Sequence, residues 1–469
     1  MRIVMKFGGV SVANGDSMRD VAIIAEKHHK AGDELVVVTS AMFNVTNSLV
    51  DAAQRASRGQ KDYVRKFVDE LAERHESTAG KAIRDEDILE STLETLKARC
   101  DDLRSMLMGI AHIGELTPRS MDHVLGIGEK LSAPLLTGVL LDLGLKAQAF
   151  TGGEAGIVTD DNFGNAQPLM NVTTHMVRQT LEPLIKEGII PVISGFIAST
   201  QDGVQTTIGR GGSDFTAAII GAAIRSDEVW VWKDVEGLMT ANPKMVEEAR
   251  MIEKISFAEA MELAHFGAQV IHPRALECAA KYQLPFRIKS LSKPDGEGSS
   301  IVKEVRIKDG DVVKAITTID DIDLITVSGA SMFGTPRLPA KVLQVLTDEE
   351  VDVLMISQSS SEENITLAIP KEDGGRAQNA LELTLLGSKQ VREVSMETGL
   401  SIVAVVGAGM KGTTGVAAKV FGTMASSDIN IRAIAQGSSE LNISFIIRKE
   451  DTARAVNALH TDFGLGVKG

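Results

Sequence analysis

Shifted by 78 positions, "LITVSGASMFGTPRLPAKVLQVLTDEEVDVLMISQSSSEENITLAI" from Leu324 lies over "IVAVVGAGMKGTTGVAAKVFGTMASSDINIRAIAQGSSELNISFII" from Ile402 without a gap, and 17 of the 46 columns are identical. The shared positions include Gly329 with Gly407, Lys341 with Lys419, Gln358 with Gln436, Glu362 with Glu440 and Asn364 with Asn442. An internal repeat restricts the C-terminal third to two copies of one small unit. Each copy reads strand, helix, strand, strand, helix. The second copy runs out near "FGLGVKG" with little room for a last strand. The apolar run "VVKAITT" from Val312 is therefore expected to complete one of the two units, which makes the pair interleaved in sequence.

Within the second copy, Gly407, Gly409 and Gly412 are spaced G-x-G-x-x-G between a strand and a helix, the fingerprint of dinucleotide binding, and Asp428 follows. The repeat argues against that reading. Ser331 replaces the middle glycine in the first copy, each unit is too short to form a dinucleotide crevice, and Asp428 precedes its strand instead of ending it. No NAD is expected. The paired units resemble tandem ACT domains, ferredoxin-like βαββαβ modules that bind amino acids at their mutual interface. The resemblance makes Gln358, Gln436, Asn364 and Asn442 candidate effector-binding residues, with backbone amides of the glycine turn able to hold a carboxylate. A packing or dimerisation module is the alternative.

A formal net charge of -14 argues against a nucleic-acid surface or an anionic membrane as partner, since both would repel the chain. Cys100 and Cys278 are too few for a disulfide framework or a thiolate metal site. "MRIVMKFGG" opens directly into a strand and turn, no apolar run reaches membrane-spanning length, and a cytoplasmic location is expected.

The first 300 residues alternate helical stretches with the apolar runs "RIVMKF", "ELVVVTS", "KAQAFT", "GIIPVISGF", "EVWVWKDV" and "LPFRIK", the pattern of an α/β domain whose mainly parallel sheet is covered by helices on both faces. A charged helical region, from about Asp62 to Leu136, reads as having solvated polar faces. "DGEGSS" from Asp295 reads as the linker to the repeat. The domains are expected at 1–298, 312–395 and 396–469. Ligand groups collect at the carboxyl ends of such strands, where "MKFGGVSV", "TSAMFNVTNS" and "TIGRGGSDFTAA" fall. Lys6 beside Gly8 and Gly9 supplies a mobile charge and open backbone amides for a transferring phosphoryl group. No Walker A motif occurs. From the residues alone, Gly8 and Gly9 are equally a tight turn, and Asp214 a carboxylate favoured at a helix N-terminus.

"KFGGVSV", "GELTPRS", "GIGEKLSAPLL", "GFIAST", "TTIGRGGSDFTAA" and "MELAHFGAQVIHPRALECA", followed by the two ACT-like units, closely resemble aspartate kinase of the amino acid kinase superfamily over nearly the whole chain. The resemblance implies transfer of the γ-phosphoryl of MgATP to the side-chain carboxylate of L-aspartate, the committed step toward lysine, threonine and methionine. It casts Lys6 and Asp214 as catalytic, with Ser40, Thr46, Glu129, Arg210, Gly211 and Ser213 on the substrate. Lys6, Gly8, Gly9, Lys233, Asp234, Met239, Lys244 and Gln269 would bind the nucleotide, and Mg²⁺ would be held mainly by phosphate oxygens. It further implies feedback by an effector such as lysine or threonine and a homo-oligomer formed through the ACT domains. A fused homoserine dehydrogenase is not expected at this length. From the residues alone Glu129 also fits a solvated helix face, Arg210 a surface ion pair, and His272 a structural role, with no metal-spaced partner.

Where many members read "TDVDGIYTTDPR" this chain reads "KDVEGLMTANPK", placing Lys233, Met239 and Lys244 where threonine, tyrosine and arginine are usual; Gln269 replaces the lysine of "FGAKVLHP". These changes keep two alternatives open, a related kinase acting on another amino acid and an amino-acid-sensing protein with a weakened kinase domain.

Overall fold

The computed structural model describes all residues except 210, 268–270, 307–311, 330–336, 359–363, 387–390 and 467–469. The chain forms two compact units: Met1–Leu238 with Glu253–Phe257 and Gln269–Val305, and Met239–Ile252 with Ala258–Ala268 and Arg306–Gly469.

The first unit is built on an eight-stranded sheet, ordered Ala147–Thr151, Ile190–Ser194, Glu34–Thr39, Arg2–Phe7, Glu228–Lys233, Phe286–Ser290, Ser299–Val302, Lys254–Ser256. Every pairing is parallel except Phe286–Ser290 with Ser299–Val302. The central strands are continuous apolar runs because helices cover both faces of a parallel sheet; Ile3, Val4, Met5 and Val36, Val37, Val38 are fully buried. The "DGEGSS" stretch, read from sequence as a linker, is instead a hairpin turn followed by a sheet strand. Gly298 has φ +67°, and a Cβ there would lie 1.9 Å from the Ile288 carbonyl oxygen.

The charged region does more than meet solvent. Helices Lys61–Ala82 and Glu86–Ile113 each turn one apolar stripe inward, and Val64, Phe67, Val68, Leu71, Leu96, Leu103 and Leu107 join the main core. Asp85 starts the second helix by accepting from the Ile88 amide at 3.0 Å, and Gly114, at φ 78°, stops it. Among the described residues one stretch, Pro118–Asp142, is long and apolar enough to cross a membrane, contrary to the sequence expectation; 78% of its apolar window is buried in the core.

The second unit holds a six-stranded antiparallel sheet ordered Met355–Gln358, Asn364–Pro370, Ala315–Gly329, Val391–Val406, Asn442–Arg448, Ala433–Ala435. Its two central strands are 15 and 16 residues long, and each serves both repeat copies. Ile322–Gly329 pairs with Asn364–Pro370 and with the first half of Val391–Val406, completing the first βαββαβ set. Ala315–Ile319, within the run that starts at Val312, pairs with Ile402–Val406 and supplies the last strand of the second copy. The register breaks between these halves at Asp321, φ 56°, and Gly399, φ 73°, which are equivalent positions in the repeat. Asp321 meets Lys371 at 3.8 Å and Lys449 at 2.8 Å, again equivalent residues, one from each copy.

Two segments from the "MTANPK" and "MELAHF" motifs belong to this second unit. Ala241 and Val246 join the core of the second copy with Val405, Phe445 and Leu459. Thr240 accepts the Arg250 amide at 2.9 Å, so its hydroxyl hydrogen is free to go to His460 Nε2, 3.0 Å away.

Candidate active site

Lys6 lies near the carboxyl end of its strand, almost fully buried, and its parallel neighbour ends in Lys233. Facing both is Asp214, in the first turn of helix Gly212–Ile224. Lys6 Nζ is 2.6 Å from Asp214 Oδ1, and Lys233 Nζ is 3.8 Å from Oδ2. One carboxylate therefore spaces two ammonium groups. Burial pushes the Asp214 pKa up, but the charges of Lys6 and Lys233, the Lys6 hydrogen bond and the His272 backbone together hold it below the usual carboxylate range. Burial lowers the Lys233 pKa, with Asp214 opposing. The turn after Lys6 must be glycine for space: a Cβ on Gly9 would lie 2.8 Å from the Ala41 carbonyl oxygen. On Gly8 it would sit in ordinary contact, 3.7 Å from Lys6 Nζ.

Glu129, in the first turn of helix Ile127–Asp142, is buried beneath the loop that follows the second strand. Its Oε1 accepts from the Ala41 amide at 3.1 Å, and its buried Oε2 has no hydrogen-bond partner among the described residues. Burial pushes this carboxyl up to about 8, partly offset by the Ala41 bond and the charge of Lys6. Its main chain is fixed by Ser194, whose hydroxyl donates to the Glu129 carbonyl at 3.1 Å, while Ser132 donates to the Ser40 carbonyl at 2.7 Å. Ser40 and Thr46 are half-buried on the same loop and the helix it starts. A buried carboxylate oxygen with an open hydrogen-bonding position suits a cationic ligand group such as an ammonium.

Arg210 lies outside the described residues, but its loop is built from both sides. Asp122, fully buried, accepts from the Thr207 amide at 2.8 Å, the Thr207 hydroxyl at 2.7 Å and the Gly164 amide at 3.0 Å. Arg274 donates to the Ile208 carbonyl, to Asn165 and to Gln167, and stacks 4.6 Å over the Phe215 ring. Gly211, at φ 68°, admits no side chain because the His272 ring would lie 2.3 Å from its Cβ. His272 caps helix Pro273–Tyr282, its Nδ1 accepting from the Arg274 amide at 3.3 Å. Ser213 is buried beside Asp214. Sequence reading singled out neither Asp122 nor Arg274, although each sits in or beside a motif that it used.

Lys6, Gly8, Gly9, Ser40, Thr46, Glu129, Gly211, Ser213, Asp214, Lys233 and the exposed Asp234 all belong to the first unit. Met239 and Lys244 belong to the second; Met239 bridges Met251, and the Lys244 amide donates to Asn242 at 3.0 Å. Gln269 lies outside the described residues. In the repeat, Gln358, Gln436 and Asn364 are exposed, whereas Asn442 donates to Glu262. The amides of the glycine turn do hold carboxylates, but internal ones: Ala408 donates to Glu259 at 2.8 Å and Gly412 to Glu440 at 2.7 Å. A Cβ on Gly407 would lie 2.5 Å from the Val312 carbonyl oxygen, so that glycine makes room for a strand and not for a pyrophosphate.

The amino acid kinase family matches residues 1–290, and the ACT domain matches 325–385 and 403–463. An aspartate kinase of Pseudomonas putida is 31% identical over 99% of this chain and 97% of its own length. The chain belongs to the aspartate kinases. E. coli aspartokinase III, solved with aspartate and ADP, is 29% identical, with a TM-score of 0.82 over 98% of this chain and 99% of its own. The same aspartate kinase solved with lysine and aspartate superposes equally well, at 0.82. The bifunctional aspartokinase/homoserine dehydrogenase 1 of Arabidopsis thaliana is 34% identical over 98% of this chain. The chain spans about half the length of such bifunctional relatives.

Proposed function

We propose that this chain phosphorylates the side-chain carboxylate of L-aspartate with MgATP, giving 4-phospho-L-aspartate, the first step toward lysine, threonine and methionine. The observation that carries this reading is the Lys6–Asp214–Lys233 arrangement next to the open Glu129 carboxyl. Phosphoryl transfer needs positioning and charge neutralisation more than covalent chemistry, and the acceptor carboxylate is itself the nucleophile. The Lys6 side chain follows the charge that shifts from the transferring group to the leaving phosphate. Asp214 fixes that ammonium in place; Lys233 neutralises phosphate charge from the other side. Glu129 takes the substrate ammonium, Arg210 its α-carboxylate through a planar fork, and Ser40 and Thr46 hydrogen-bond the rest.

Among the described residues no group of three or more His, Cys, Asp or Glu is placed to hold a metal. Mg²⁺ would arrive on phosphate oxygens, where it would neutralise charge on the leaving group. The reading divides the chain into a kinase domain at about 1–298 and interleaved ACT domains at 312–395 and 396–469. It includes feedback by lysine or threonine, a homo-oligomer formed through the ACT domains and a cytoplasmic location.

A coupled assay of nucleoside diphosphate release with aspartate, with glutamate and with no acceptor tests it. Release that depends on aspartate is expected. Release with glutamate alone, or none with either, would overturn the reading.

A further inference from the structure

Helices Glu86–Ile113 and Ile127–Asp142 and strand Ala147–Thr151 line a cleft of about 540 Å³ within the first unit. That volume is in the range of small-ligand sites. Lys6, Ser40, Asp214 and Lys233 do not line it. Glu129 points toward Ala41, and Lys130, the next residue, is turned by about 100° around the helix into the cleft.

Two facing rows make this cleft unlike an ordinary helix contact. Asp87, Ser91, Thr95 and Arg99 recur every four residues along one helix, and Lys130, Pro134 and Gly138 do so along the other. Facing helices normally bury apolar ridges in such positions. Here one wall offers hydroxyls, the exposed Asp87 carboxylate at its end and the Arg99 guanidinium, which lies 3.6 Å from Asp102, and the other a half-buried ammonium. Among the described residues no hydrogen bond or ion pair holds the Lys130 ammonium; burial lowers its pKa, as does the charge of Arg99, while the charge of Glu154 opposes them. Pro134 has no N–H to give the Lys130 carbonyl four residues back, so a backbone acceptor is freed at the same spot. Phe150 and Leu141 supply apolar surface.

We propose that this cleft is a second ligand site, binding a small aliphatic carboxylate between Lys130 and Arg99. Its apolar tail lies on Phe150 and Leu141. An α-ammonium, where the ligand is an amino acid, is received by the freed Lys130 carbonyl and by Glu154, which also lines the cleft.

Titration calorimetry on the full chain, with saturating aspartate present, would use butyrate and 2-aminobutyrate as probes. Binding of at least one is expected, weakened about ten- to a hundredfold in Lys130→Met and in Arg99→Gln, as for a charged hydrogen bond removed. Tighter binding of 2-aminobutyrate than of butyrate would mark the ligand as an amino acid. The variants, not the aspartate, locate the site, so the result is independent of the kinase reading. Thermal melts check that both variants fold, and Arg99→Gln, on a solvent-facing row, serves alone if Lys130→Met does not. No binding of either probe overturns the proposal, as does binding unchanged in a folded variant. A shift in sedimentation of the folded variants without loss of probe binding would make the cleft a contact between copies and also overturn it.

Discussion

Binding of aspartate should expel a proton. The free Glu129 carboxyl, pushed up to about 8 by burial, is about 0.9 protonated at pH 7. Its Oε2 has no partner among the described residues, and pairing with the substrate ammonium would draw the pKa far below 7. Each binding event then releases about 0.9 proton at pH 7 and about half a proton at pH 8. Affinity for aspartate accordingly rises as pH increases, about tenfold per unit below pH 8, because ionising the carboxyl costs about 1.4 kcal/mol per unit. Calorimetry at pH 7 in buffers of differing ionisation enthalpy reads the proton count as the slope of observed enthalpy. In Glu129→Gln the slope should vanish, and binding should weaken by roughly 1.5–3 kcal/mol for the lost charged hydrogen bond. The linkage has an opposite face without ligand. The folded pKa lies above the unfolded value of 4.5, so the stability Glu129 contributes is fully present below about 4.5 and is lost as pH rises through about 8. A zero slope with wild-type protein, together with a flat Kd from pH 6 to 8, would refute the assignment of Glu129 to the ammonium.

Lys6→Ala should lower kcat and kcat/KM together with little change in aspartate Kd, and near-normal turnover would remove Lys6 from catalysis. Arg274→Ala should raise aspartate KM more than nucleotide KM and lower Tm, because the Ile208 carbonyl and Phe215 ring lose their partner; Arg274→Lys, lacking the planar fork, should not restore it. Gln358→Ala and Gln436→Ala should leave uninhibited turnover intact, and at least one should blunt a response to lysine or threonine of about 1–3 kcal/mol in coupling. Activity assays of both variants with each amino acid check this, and calorimetry showing no binding of either would leave the repeat purely structural.

All six runs of the first 300 residues form sheet strands; the central ones are buried on both faces and leave a continuous apolar signature, whereas the edge strand Ala147–Thr151 is only half-buried and keeps an exposed Gln148. The glycine and helix-start contexts of Lys6 and Asp214 drew attention to both, and the structure brings the two together; Glu129 was singled out only through the family resemblance. Asp122 and Arg274 were not: their hydrogen-bond partners lie 85 and 66 residues away, and a polar side chain that is buried reads like one in solvent. Ser299–Val302 was missed because the Gly-Glu-Gly sequence before it reads as a linker whether or not the next four residues find a sheet edge. Met239 and Lys244 were assigned to the nucleotide through the family motif they replace; a motif read along the chain does not show that Ala241 and Val246, between and beside them, join the core of the second unit.

The shared long strands have a consequence for dissection and evolution of the repeat. Ala315–Ile319 waits for Ile402–Val406 to be synthesised, and neither copy can close its sheet before the other begins. The pair should melt in one cooperative step, and its nucleation should be slow, since the pairing spans most of the region's length. A fragment cut between the copies would leave Ala315–Ile319 as a bare edge, prone to recruiting a strand from another molecule. Duplication of the unit thus tied its two descendants together: neither can be lost, swapped or expressed alone without stripping a strand from its sibling.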